Sequence, residues 1–282
     1  MIGGLGVSAI MPTVKVNGVR LYYELHGDSG EPLVLIHGYT GDVSDWRYQI
    51  AEFARTHRVL AVDLRGHGKS EAPRDRSAYS LLQMSSDVEA LIAHIGFRRY
   101  HLLGHSMGGA VVQEIALRSP ARLLSLTLED TLCQFGPLGD EPYARWLEDR
   151  LKLAEEQGMA AVAEAPAPTP PPPHMSEERL EEMKQRLATM SVDAFVGAWQ
   201  GILAWPGTRD RAKGIAVPTL VVCGDLDAPV LIAGSKYLAE SIPGASLVVM
   251  PEAEHAPQYE RPELFNAVLR RHLECNADGL AK

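Results

Sequence analysis

Two kinds of apolar pattern alternate along this chain, and their alternation predicts its architecture. Leu33-Val34-Leu35-Ile36, Val59-Leu60-Ala61-Val62, Leu102-Leu103, Leu123 to Leu128, Val217 to Cys223 and Leu247 to Met250 are continuous runs, as in strands covered on both faces. Between them Trp46, Ile50 and Phe53, then Met84, Val88, Leu91 and Ile95, then Val111, Ile115 and Leu117 recur at helical spacing. Gly96 and Ser119-Pro120 supply helix stops. Leu231 to Ile242 and Pro262 to Leu273 read as two further helices. The alternation predicts an α/β fold with a mostly parallel sheet and helices on both faces. Thr13 to Val16 and Val19 to Leu25, joined by Asn17-Gly18, predict a hairpin and antiparallel pairing at one edge.

The rhythm breaks between residues 131 and 213. Tyr143, Trp146, Leu147, Leu151 and Ala154 fit one amphipathic helix; Leu180, Met183, Leu187 and Met190 fit a second; Val192, Val196, Trp199 and Leu203 fit a third. No strand pattern intervenes, which predicts a helical cap over one edge of the sheet. In its middle, Ala165 to Pro173 is too rich in proline to continue a helix and is expected to be an extended spacer. The expected organisation is an N-terminal extension over 1–12, a core over 13–130 and 214–282, and the cap over 131–213.

Bulk composition narrows the partners. The 282 residues carry a net charge of −9, which argues against nucleic acid or an anionic membrane surface. Cys133, Cys223 and Cys275 lie far apart without a C-x-x-C, so neither a disulfide framework nor a zinc site is expected. No apolar run is long enough to span a bilayer, and the first ten residues lack the basic start of a secretory signal. A cytoplasmic protein, monomeric or homodimeric, is the expectation.

The candidate chemistry centres on Gly104-His105-Ser106-Met107-Gly108. Between a strand and a helix, G-x-S-x-G describes a turn so sharp that the serine stands exposed at the strand end, with no room for side chains two residues either side. A serine hydroxyl is a weak nucleophile and needs a base, itself oriented by an acid. Suitable partners follow later strands in the order acid, then histidine. Asp227 lies in Gly224-Asp225-Leu226-Asp227, and His255 closes Pro251-Glu252-Ala253-Glu254-His255. Both follow strand ends, where active sites of open parallel sheets assemble. Asp225 and Asp130 are fallback acids. A developing oxyanion requires backbone donors, for which Met107, at the start of the next helix, and Tyr39, in Ile36-His37-Gly38-Tyr39, are the candidates. His37 is expected to prop that loop. Trp146, Trp199 and Trp205 are candidate linings of an apolar substrate pocket. The sequence holds no H-e-x-x-h-type zinc motif or Cys/His cluster, and neither a metal nor a cofactor is expected.

From residue 13 to residue 275 the chain resembles the α/β-hydrolase fold superfamily, in its branch of esterases, lactonases and carbon–carbon bond hydrolases with a helical cap. The resemblance rests on His37-Gly38 with Trp46, on Asp63-Leu64-Arg65-Gly66-His67-Gly68-Lys69-Ser70, on the serine turn, on Gly224 with Asp227, and on His255 with Glu260, Pro262 and Phe265. It implies an eight-stranded sheet, a Ser106–His255–Asp227 triad and hydrolysis of a small-molecule carboxylic ester. Lactone or carbon–carbon bond hydrolysis, a perhydrolase side activity, or a receptor with little turnover use the same fold. The proline-rich tract departs from the branch, whose caps usually carry helix there.

Overall fold

The computed structural model describes residues 9–10, 12–135, 142–166, 172 and 174–277. The apolar runs fold as strands of one sheet: β1 (Ala9–Ile10), β2 (Thr13–Val16), β3 (Val19–His26), β4 (Pro32–Ile36), β5 (Arg58–Val62), β6 (Tyr100–His105), β7 (Leu123–Glu129), β8 (Thr219–Gly224) and β9 (Ser246–Met250). The helices are α1 (Arg47–Phe53), α2 (Leu81–Ile95), α3 (Met107–Arg118), α4 (Pro142–Gln157), α5 (Met159–Glu164), α6 (Glu177–Thr189), α7 (Val192–Ala204), α8 (Pro229–Ser241), α9 (Pro257–Glu260) and α10 (Pro262–Cys275). The strand order is β1-β3-β5-β4-β6-β7-β8-β9, with β2 on β3. Pairing is parallel from β5 through β9 and antiparallel among β1, β2, β3 and β5.

The eight expected strands are β2 to β9. The addition is β1, within the expected N-terminal extension, whose residues pair with Leu25 and His26. An edge strand needs only backbone groups, so the apolar pattern gave no warning of it. Asn17 and Gly18 turn the hairpin at φ 46° and 83°, as a two-residue turn requires.

Successive residues of the central strands feed opposite faces. Val34, Ile36, Leu60, Val62 and Leu102 join the core beneath α2 and α3, while Leu33, Leu35, Val59, Ala61 and Leu103 join that beneath α1 and α10. All are at most 1% exposed, and each larger side chain contributes about 1.5–3 kcal/mol of transfer free energy. β9 is less buried than its run of apolar residues implies, because it closes the sheet and leaves one side uncovered.

Between β7 and β8 the chain builds α4 to α7, which enclose a small core of Leu147, Ala154, Met159, Val162, Phe195 and Val196. α5 was not legible in the sequence; its six residues are too few to show a period. Of the proline-rich tract, Ala167 to Pro171 and Pro173 lie outside the described residues.

The helical insertion is seated on the body through charge. Arg179 of α6, 3% exposed, pairs with Asp45 and with Glu182, and Glu182 pairs with Arg47. Arg186 reaches Asp42 at 3.0 Å and Asp45 at 2.8 Å. Burial pushes the Asp45 carboxyl up, but the two guanidinium groups outweigh it and hold its pKa at about 2. Tyr39 adds a neutral tie: its hydroxyl donates to the Phe195 carbonyl at 2.8 Å, and its ring stacks on Phe195. Among the described residues, no single helix is long and apolar enough to cross a membrane.

Candidate active site

The serine turn is enforced by crowding. Ser106 sits at φ 51°, between β6 and α3. A Cβ on Gly104 would meet the Gly108 carbonyl oxygen at 2.4 Å, and one on Gly108 would meet the carbonyl oxygens of Ile36 and His37 at the same distance. The Ser106 N–H donates to the Glu129 carbonyl at 2.9 Å, and the Thr131 hydroxyl donates to the Ser106 carbonyl at 2.7 Å. Although Ser106 precedes a helix, its hydroxyl does not cap it. Instead its Oγ lies 3.1 Å from His255 Nε2.

His255 is positioned by its loop. The Glu260 carboxylate reaches back to accept from the backbone N–H groups of Glu254 at 2.8 Å and Ala256 at 3.0 Å, bracketing the histidine. From below, His105 Nε2 donates to the His255 carbonyl at 2.6 Å. Burial drives the His105 pKa down to about 4, so it does so as a neutral ring. On its other side, His255 Nδ1 lies 3.0 Å from Asp227 Oδ2. Asp227 Oδ1 accepts from the Ala228 N–H at 2.7 Å. Burial opposes charge on both members of this pair. The opposing charges and hydrogen bonds win, holding the Asp227 pKa below and the His255 pKa above their ordinary values.

The loop after β4 approaches from the opposite side. A Cβ on Gly38 would lie 2.8 Å from His105 Nδ1 and 3.1 Å from Ser106 Cβ, so a larger residue here would force its neighbours to shift. His37 is fully buried. Its Nε2 accepts from the Leu64 N–H at 3.0 Å, which leaves Nδ1–H to donate to the Gly38 carbonyl at 2.7 Å. Gly41 N–H donates to the same carbonyl at 3.1 Å. With that oxygen held and the peptide planar and trans, the Tyr39 N–H is fixed on the opposite side. Met107 opens α3, whose first N–H groups have no intrahelical acceptor.

The structure thus brings together Ser106, His255 and Asp227, with Met107 next to Ser106 in the chain and Gly38, whose peptide carries the Tyr39 N–H, close against Ser106. Asp225 is exposed and makes no part of this line; Asp130 is buried beside Asp227. The three tryptophans diverge. Trp199 packs on Tyr39, with ring centroids 5.7 Å apart. Trp146 Nε1 donates to the Pro166 carbonyl and its ring lies under Arg150. Trp205 is buried in the main core, its Nε1 donating to Glu114 at 2.9 Å, so it fastens the end of α7 to α3. The sequence reading missed His105, whose support of the His255 loop spans 150 residues and has no local signature.

This fold and this constellation define a hydrolase. The chain belongs to the alpha/beta hydrolase fold family, whose model matches residues 31–262. It is 30% identical to 3-oxoadipate enol-lactonase 2 of Acinetobacter baylyi, over 92% of this chain and 96% of that protein. Its structure is similar to that of the enol-lactonase from Burkholderia xenovorans (TM-score 0.81, 28% identity, 93% of this chain and 100% of that chain covered). A thermophilic esterase from Thermogutta terrifontis is also similar (TM-score 0.78, 27% identity, 96% and 99% covered). The chain spans about two thirds of the length of the acetoin-cleaving-system acetyltransferase components it also matches, 67% in Cupriavidus necator and 66% in Pseudomonas putida.

Proposed function

We propose that the protein hydrolyses carboxylic esters of small molecules through an acyl-enzyme on Ser106. The observation that carries this reading is the unbroken line from Asp227 through His255 to Ser106, with contacts of 3.0 and 3.1 Å. Ser106 Oγ attacks the acyl carbon as its proton passes to His255 Nε2. Asp227 keeps the Nδ1 proton in place and offsets the imidazolium charge. The Met107 and Tyr39 N–H groups receive the oxyanion. His255 then protonates the departing alcohol and activates water against the acyl-enzyme. Tyr39, Phe195 and Trp199 pack together where the loop after β4 meets α7, which puts aromatic side chains on the residue whose N–H is assigned to the oxyanion.

A cyclic ester is the second reading. The similarity to enol-lactonases over nearly the whole chain favours it, and the chemistry differs only in that the leaving alcohol stays attached to the acyl group. Fluorophosphonate labelling, with a panel of p-nitrophenyl esters and lactones, tests both. Labelling at Ser106 with multiple turnover of either class is expected. Labelling without turnover would make the protein a receptor.

The pH dependence follows from His255. It acts as a base only when neutral, and its raised pKa means that more of it is protonated at a given acidity. Activity is expected to fall on the acid side with a half-point above the ordinary histidine value. A kcat/KM profile with that limb at or below the ordinary value would count against His255 as the base.

A further inference from the structure

Asp130 lies immediately after β7, fully buried and at φ 41°. Its side chain sits behind Asp227: one oxygen from each carboxyl and a ring nitrogen of His255 fall within 4.8 Å of one another. Asp130 Oδ1 accepts from the Gly224 N–H at 3.1 Å, while Oδ2 is buried and receives no N–H or O–H donor. The two buried carboxyl groups thus face each other with oxygens no more than 4.8 Å apart and no N–H or O–H donor for Asp130 Oδ2. Two ionised carboxylates this close repel and neither can donate to the other, whereas a proton on one of them removes the repulsion and supplies a donor. Asp227 already accepts from Ala228 N–H and His255 Nδ1, which favours its ionised form. Asp130 has a single donor and a bare oxygen.

We propose that Asp130 is a protonated carboxylic acid that donates its O–H to Asp227, making it a positioning residue behind the triad. This rests on the hydrolase reading above. The O–H fixes Asp227 from the side away from the histidine and brings no second negative charge to the imidazole. Burial is the main force keeping the proton on Asp130, followed by the Asp227 charge. A left-handed residue at the strand end suits aspartate better than most side chains.

The test separates a neutral Asp130 from an ionised one. Asp130→Asn replaces a neutral donor with a neutral donor: its amide N–H reaches Asp227 and its oxygen accepts from Gly224. Turnover is expected within about threefold of the parent, with the acid limb of kcat/KM unmoved, since no charge has changed. Removing a real negative charge this close to the imidazole would instead lower that limb by about one unit, and this outcome overturns the proposal. Asp130→Ala removes the donor; turnover is expected to fall about tenfold, the scale of one lost charge-assisted hydrogen bond, with the limb displaced upwards. Full turnover and an unmoved limb in Asp130→Ala would also overturn it.

Infrared spectra of protein labelled with ¹³C-aspartate provide a readout independent of catalysis. At neutral pH the parent is expected to show a protonated-carboxyl band that Asp130→Asn lacks. Identical spectra would end the proposal even with the hydrolase intact. Conversely, a parent that neither turns over esters nor labels at Ser106 defeats the hydrolase reading, while the band still reports the Asp130 proton.

Discussion

Ser106→Ala is expected to lower ester turnover by at least about 10⁴-fold while leaving the fold and its thermal transition intact. The loss is large because the group removed is the one that forms the covalent bond; the remaining hydrogen-bond donors and binding surface sustain only a small residual rate. The fold survives because the turn is held by groups the substitution keeps. The Ser106 N–H to Glu129, the Thr131 hydroxyl to the Ser106 carbonyl and the close glycines are all backbone features or belong to neighbours. Alanine also carries a Cβ, so it adds no strain at φ 51° that serine lacks. Steady-state assays of purified variant and parent, with circular dichroism, measure both parts. Turnover that persists at the parent level would remove Ser106 from the mechanism.

Asp227→Asn is expected to cost about 10⁴-fold. The asparagine amide can donate to His255 Nδ1, which favours the imidazole tautomer with its proton on Nε2, facing Ser106 Oγ. That tautomer cannot accept the serine proton. The backbone contact from Ala228 survives on the amide oxygen, so the defect is one of proton placement more than of structure. Comparison with Asp130→Asn is decisive, since both carboxyls are buried at the same strand ends. A large loss in Asp130→Asn with near-normal turnover in Asp227→Asn would transfer the acid to the earlier strand.

The fold was legible because burial on both faces leaves continuous apolar runs, as in β4 and β8, and because Asn17-Gly18 and Gly96 mark turns by backbone need. Ser106, Asp227 and His255 were legible for a related reason: each follows a strand end, and the serine's glycines report the crowding around it. What escaped was polar and long-range. The Arg179–Asp45 pair joins positions 134 apart and leaves no period. Asp130 could be named as an alternative acid from its place after β7, but only the folded sheet shows it and Asp227 side by side. Trp205 illustrates the converse: its sequence suggests a pocket wall, whereas its indole N–H needs a buried acceptor and finds one in Glu114.

The segment from Gly38 to Asp45 has two attachments. At one end its peptide faces Ser106; at the other its carboxylates take the arginines of α6, and Tyr39 between them holds α7. In the mechanism proposed above, the segment that seats the helices is therefore also the one that carries the Tyr39 amide to the oxyanion. On that reading, a bulky molecule that wedged α6 away from Asp45 would pull on the segment that carries the Tyr39 amide. Discrimination against such molecules would then be registered in the speed of acyl transfer, with binding strength comparatively untouched.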